Sequence, residues 1–156
     1  MARTVRLTLE IEIHSATPHD LPALATWSAN VDRVFRPAVE SGNAVLLVAG
    51  ANGRFPIGHM LVETQAGKLS HLLVLGGFRN QGLGSALMDE GERLLRDAGC
   101  DVAQLAVEKV NVPAIRLYER RGYTKVGESI DRWPEPGSDG TLRDVDHPAW
   151  VMEKEV

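Results

Sequence analysis

Arg79, Gly82 and Gly84 stand where an apolar run, Leu69 to Leu75, meets a helix-forming stretch, in the spacing Arg-x-x-Gly-x-Gly. Residues without a Cβ let backbone N–H groups crowd around an anion. The helix that follows adds unpaired N-terminal donors and the positive end of its dipole, and Arg79 adds a formal charge. The chemistry this suits is the binding of a phosphate or pyrophosphate. A Walker loop would end in Gly-Lys-Ser/Thr, which the chain lacks. A dinucleotide fingerprint would begin directly after the strand and need a third glycine where Leu87 stands. A surface turn with a glycine cap is the plain alternative.

A second motif follows: Leu105-Ala-Val-Glu-Lys-Val-Asn111-Val-Pro-Ala114-Ile-Arg-Leu-Tyr118-Glu119-Arg-Arg-Gly122-Tyr123. It has the form of strand, loop and helix. Asn111 suits an N-cap, Pro113 a first turn and Gly122 a C-terminal cap, and Ala114 shares a face with Tyr118 at i,i+4. A tyrosine on that inner face is ordinarily core with its hydroxyl satisfied.

Taken in order, the two motifs resemble the signatures of GNAT-superfamily N-acetyltransferases. In that family the fourth strand leads into Arg/Gln-x-x-Gly-x-Gly/Ala. A later Asn-x-x-Ala-x-x-x-Tyr-Glu-x-x-Gly-Phe/Tyr is matched here at Asn111, Ala114, Tyr118, Glu119, Gly122 and Tyr123. The resemblance is specific over about Leu69 to Tyr123 and only compatible elsewhere. It implies direct attack of an amine on the thioester of acetyl-CoA, with no covalent enzyme intermediate. Arg79, Asn80, Gln81, Gly82, Leu83, Gly84 and Ser85 would hold the pyrophosphate, and strand backbone at Leu73, Val74 and Leu75 the pantetheine arm. Asn111 and Ala114 would line the coenzyme, although Asn111 is equally well a cap alone, and Tyr118 would be the general acid for the departing thiolate. A binding-only reading, an acyl-CoA sensor or partner-binding module, stands as the alternative.

The general base is less clearly written. Ribosomal-protein Nα-acetyltransferases often carry a glutamate where this chain has Ala106, which turns the reading toward small amines: polyamines, aminoglycosides or amino acid derivatives. His71 is the most attractive base on the fourth strand, with Glu63, His59 and a water relay as alternatives. Regular strand alternation puts Ser70, rather than His71, on the face of Val74.

Composition fits this placement. A chain of 156 residues is read as one domain, 1–156, able to bury roughly 70% of its unfolded surface without staples. The lone Cys100 excludes an internal disulfide and suits a reducing cytoplasm, where it would act as a small apolar residue opening a strand. The five histidines show no zinc-ligand spacing, so no metal is expected. With 17 Lys and Arg against 21 Asp and Glu, the net charge of −4 argues against nucleic acid as a partner. No apolar leader or membrane-spanning run is visible. A homodimer is compatible with the resemblance, although nothing marks an interface.

The elements that must position these residues follow from hydrophobic period and punctuation. Strands are expected at Leu7 to Ile13, Ala44 to Ala49, Ile57 to Thr64, Leu69 to Leu75, Asp101 to Val107, Tyr123 to Val126 and Ala149 to Met152. The first helix starts at Leu21 and runs to about Ser28, with less regular sequence to Glu40. A second carries Leu83, Leu87, Gly91, Leu94, Leu95 and Ala98 on one stripe, and a third spans the Asn111 to Gly122 motif. Asn52-Gly53 signals a hairpin, and Asp131 to Pro148, rich in Pro, Gly and Asp, reads as a loop. The class is α+β (α/β): a mixed, mostly antiparallel sheet of six to seven strands with about four helices. By the resemblance it is splayed between strands four and five.

Overall fold

A computed structural model describes all residues except Met1 and Leu7. Its core is one seven-stranded sheet in the order β1-β2-β3-β4-β5-β7-β6, antiparallel except at β4 and β5. The strands are β1 (Ile11–Ser15), β2 (Val45–Ala51), β3 (Phe55–Glu63), β4 (Lys68–Val74), β5 (Val102–Glu108), β6 (Thr124–Pro136) and β7 (Leu142–Glu155). The helices are α1 (Leu21–Leu24), α2 (Arg36–Ser41), α3 (Leu83–Asp97) and α4 (Val112–Arg120). The expected class holds.

One face of the sheet buries Met60, Val62, Leu69, Leu105 and Val107 against Leu87, Met88 and Leu95 of α3 and Ile115 of α4. Gly91 lets α3 lie close, because a Cβ there would collide with the Met60 side chain and stand 3.1 Å from Leu69 Cδ2. The other face buries Leu46, Val48 and Leu61 against Leu21, Leu24, Val31 and Phe35. Asn52 and Gly53 both have positive φ, 52° and 67°, as the tight β2–β3 hairpin requires.

Four expectations need correction. β1 begins at Ile11: Leu7 lies outside the described residues, and Leu9 precedes the strand and is exposed. The first helix is only one turn long, and a wide turn over Val31–Phe35 links it to α2. Cys100 precedes β5 instead of opening it, and its Sγ donates to the Thr64 carbonyl at 3.1 Å. The largest difference is at 131–148, which is a hairpin with its turn at 137–141: β6 and β7 pair from Thr124↔Glu153 to Pro136↔Leu142, with one bulge at Val126. Prolines are tolerated because β6 is an edge strand, where Pro134 and Pro136 need no outward N–H and also discourage further pairing.

β4 and β5 pair only at Lys68↔Gln104 and then diverge, leaving the β5 side of Ser70 to Val74 unpaired. β4 also carries a bulge. Leu73 pairs with His59 and Ser70 with Leu61, so three steps on β4 match two on β3. The extra residue overturns the regular alternation. Ser70 shares its face with Leu73, Val74 returns to the face of Leu69, and His71 sits at φ +53° with its ring against Phe35.

Candidate active site

The anion cradle forms where β4 ends. Asn80 and Gly82 adopt positive φ, 59° and 81°, and Gly82 is the N-cap of α3. These conformations turn the loop so that no N–H from Asn80 to Ser85 is bonded to another described residue. Successive free amides at a helix start form a concave anion site. The Arg79 Nε donates to the Val74 carbonyl at 2.9 Å, tying the loop to β4, and its other guanidinium nitrogens have no hydrogen bond among the described residues.

The cradle opens into a cleft of about 620 Å³ between β4, α3 and α4. Of the sequence-predicted residues, Leu73, Val74, Arg79, Asn80, Gly82, Leu83, Gly84, Ser85, Asn111, Ala114 and Tyr118 line it. Leu75 and Gln81 do not, since Leu75 turns back to bond Ile57 through its N–H at 2.8 Å. Leu72, Phe78, Pro113, Leu117 and Arg120 also line it and were missed. Arg120 is a second cation near the motif tyrosine, off the inner stripe that the motif follows. Gly84 has ordinary φ, and a Cβ there would meet nothing nearer than Leu117 Cδ2 at 3.8 Å. The fold itself does not demand glycine at 84, but a larger side chain would occupy the cleft. Free amides, cations, apolar walls and an unpaired strand edge together suit an extended phosphorylated thioester.

This suggests a pair of variants. Gly84→Val is expected to raise the acetyl-CoA dissociation constant about tenfold or more by filling the cleft, with little loss of stability. Gly82→Ala forces a side chain into the left-handed region and costs about 1 kcal/mol or more in stability as well. Thermal shift titration with acetyl-CoA separates the two effects.

Asn111 caps α4: its Oδ1 accepts from the Ala114 N–H at 3.3 Å, and it also borders the cleft. Gly122, at φ +92°, ends the helix as a left-handed cap. Tyr118 is 9% exposed and lies at the junction of the cleft with a cavity of about 30 Å³ bounded by Ser70, His71, Leu105 and Ala106. Its ring meets Tyr123 edge-on at 6.1 Å, and its hydroxyl has no hydrogen-bond partner among the described residues. Burial pushes the phenol up to about 12, so it stays protonated at neutral pH.

His71 borders the small cavity, and its Nδ1 is 3.0 Å from Ser70 Oγ. Burial lowers its pKa, the Glu63 carboxylate opposes that shift, Arg33 adds to it and Asp131 opposes it. The imidazole is therefore a free base at neutral pH, bordered by groups from β3, the α1–α2 connection and the β6–β7 hairpin. Glu63 thus bears on His71 from the end of β3. His59 is 1% exposed beneath the bulge, and burial lowers it to about 4. Between pH 6.5 and 4 the unfolded chain binds a proton that the folded chain excludes. Stability therefore rises with pH across that window, by ~3 kcal/mol from this one group. Urea unfolding at several pH values would show that slope, reduced in His59→Phe.

Further along the hairpin Trp133 stacks on His147 at 3.5 Å, and the two ring nitrogens of His147 lie 3.3 Å from Glu108 Oε2 and 3.1 Å from Glu135 Oε1. Among the described residues no cluster of three or more His, Cys, Asp or Glu could hold a metal ion, and no helix is long and apolar enough to cross a membrane.

Residues 8–123 match the acetyltransferase (GNAT) family, and the chain belongs to that family. It is an acetyl-CoA-dependent acetyltransferase. The ribosomal-protein-S18-alanine N-acetyltransferase from Escherichia coli is similar in structure: TM-score 0.72, 23% identity, 94% of each chain covered. A GNAT acetyltransferase from Elizabethkingia anophelis with acetyl-CoA bound gives 0.70 at 18% identity, covering 94% of this chain and 98% of that one. Nourseothricin acetyltransferase gives 0.68 at 22% identity, covering 93% and 98%. No curated protein sequence matches the chain.

Proposed function

We propose that residues 1–156 form one catalytic domain that transfers the acetyl group of acetyl-CoA to a primary amine of a small molecule, by direct attack in a ternary complex. The thioester supplies the acyl group, and the chain's residues bind it and move two protons. The amides of Asn80 to Ser85, with Arg79 and Arg120, hold the phosphates, and the free edge of β4 near Val74 takes the pantetheine amides. Tyr118 gives its proton to the departing thiolate. His71, neutral at working pH, takes the proton that the amine must lose.

The observation that carries the small-amine reading is the border around His71. Carboxylates from two elements, Glu63 and Asp131, bear on it against the cation Arg33, and the hairpin that carries Asp131 continues to Trp133 and Glu135. An acidic border with the Phe35 ring beside it attracts an ammonium ion. Ala106 agrees, standing where the resemblance would have a glutamate in enzymes of ribosomal-protein N-termini. The lone Cys100 and the net charge of −4 favour a cytoplasmic setting and an acceptor other than nucleic acid.

Thiol release from acetyl-CoA, measured against polyamines, aminoglycosides, amino acid amides and an alanine-initiated peptide, tests the reading. Turnover of a small amine supports it, and turnover of the peptide alone overturns it. Activity should fall as pH drops through the lowered His71 pKa, so the acid limb of kcat/KM is expected below the ordinary histidine value near 6.5. A limb at or above that value would remove His71 as the base.

A further inference from the structure

We infer that His59 is a positioning residue for acetyl transfer: from beneath the sheet its Nδ1–H holds the carbonyl of His71, fixing the left-handed turn that aims the His71 imidazole at the acceptor side. The inference rests on the reading of His71 as the base.

The bulge creates the need. A histidine at φ +53° is in a region that is unfavourable for side-chain-bearing residues and persists only when its surroundings over-determine it. The same bulge takes the His71 carbonyl out of the regular β3–β4 ladder. His59, next to the opposing Met60, meets both demands with a 2.7 Å bond from Nδ1–H to that carbonyl. The His59 ring is itself fixed. It stacks on Trp27 at 5.2 Å and 13°, and Phe35 meets it edge-on at 4.7 Å. Phe35 also meets the His71 ring edge-on, at 5.6 Å, so one aromatic side chain braces both imidazoles.

A residue that served only to fill this core would be aliphatic, like Leu61 beside it. Among the described residues the buried Nε2 of His59 has no hydrogen-bond partner, an arrangement that disfavours the fold. Among the described residues the one hydrogen bond of the ring is that to His71. Since burial keeps His59 neutral, that donor persists across the working range, while burial of His71, opposed by Glu63 and Asp131 and reinforced by Arg33, sets the titration of His71 itself.

His59→Phe keeps an aromatic ring between Trp27 and Phe35 but removes the donor, and His59→Asn puts an amide N–H near the place of Nδ1 without the ring. The variants are assayed by thiol release with the best-used amine of the panel above. The His71 titration is followed by imidazole NMR, and acetyl-CoA thermal shifts confirm a folded cofactor site. We expect His59→Phe to lower kcat about tenfold or more, in line with the cost of a misplaced catalytic group, with the acetyl-CoA KM within about twofold. The His71 titration should move, and His59→Asn should recover most of the rate. A folded His59→Phe with unchanged kcat and unchanged His71 titration overturns the inference. So does a folded His59→Asn that loses as much as His71→Ala, which keeps the test alive if the Phe variant does not fold. In a double-mutant cycle the His59→Phe loss should vanish in the His71→Ala background, and an undiminished loss there also overturns it. Should His71→Ala alone be silent, the base reading falls first and takes this inference with it. Should His71→Ala cost activity while His59→Phe does not, only the inference falls.

Discussion

Tyr118→Phe is expected to lower kcat by about 10² to 10³-fold, within the usual range for removing a general acid, with the acetyl-CoA KM nearly unchanged. The substitution leaves the packing intact. The ring is 9% exposed and packs edge-on against Tyr123, and phenylalanine keeps that burial and that contact. The lost hydroxyl has no partner among the described residues, so its removal orphans no donor or acceptor, and stability should hold or rise slightly. The phenol proton is what disappears. Burial holds it in place up to about pH 12, which keeps the acid loaded at every working pH and places it where the cleft meets the small cavity beside His71. Without it the thiolate must leave unprotonated or draw on water. Thiol release gives kcat, and acetyl-CoA titration shows whether binding survived. A binding-only module predicts no amine-dependent release in the parent and no effect of the substitution. An unchanged rate in a parent that does turn over would instead move the acid to water and leave Tyr118 as core.

Both motifs were legible because each is a local event. A strand-to-helix junction that binds an anion needs left-handed backbone within a few residues, and glycine at 82 reports that directly. A helix whose ends are marked by Asn111 and Gly122 reports its own length. What was not legible depends on partners distant in sequence. The β4 bulge arises from pairing with β3, so the fourth strand looks regular in isolation, and the expected alternation misplaces Ser70 relative to Val74. His59 reads as an isolated strand histidine until His71 and Phe35 are brought to it. The 131–148 segment was hidden by its own punctuation: prolines and glycines signal a loop, yet on an edge strand a missing N–H costs no ladder bond. Arg120 was missed for a simpler reason, since motif matching follows the inner face of α4.

Glu92 shows the same dependence on distance and carries the largest expected effect on stability. On α3 it falls at a buried position beside Gly91 and Leu95, where the hydrophobic stripe predicts nothing charged. Its side chain is 5% exposed, and three donors distant from it in sequence converge on it: Tyr123 Oη at 3.0 Å, Arg121 Nη2 at 3.3 Å and Lys154 Nζ at 2.9 Å. Burial, and then the Glu92 charge, push the Tyr123 phenol up, so it remains a donor to the carboxylate. Glu92→Ala leaves that hydroxyl unbonded in the core, and leaves Arg121, whose side chain is only 14% exposed, with Asp89 as its remaining counter-ion. Removing one member of such a buried cluster costs about 3–5 kcal/mol, which for a chain of this size lowers Tm on the order of 10 °C. The same residues tie the end of α4 to α3 and β7, and Tyr123 supports the Tyr118 ring, so acetyl-CoA should restore part of the lost Tm by binding the folded state alone. Thermal melts of Glu92→Ala, Tyr123→Phe and the double variant provide the check. If the cluster acts as a unit, the two losses add to less than their sum, because once Glu92 is gone the Tyr123 hydroxyl is only a buried orphan. Strict additivity, or a Glu92→Ala melt within about 2 °C of the parent, would mean that water already reaches these charges and that hydrophobic packing alone holds α4 against the sheet.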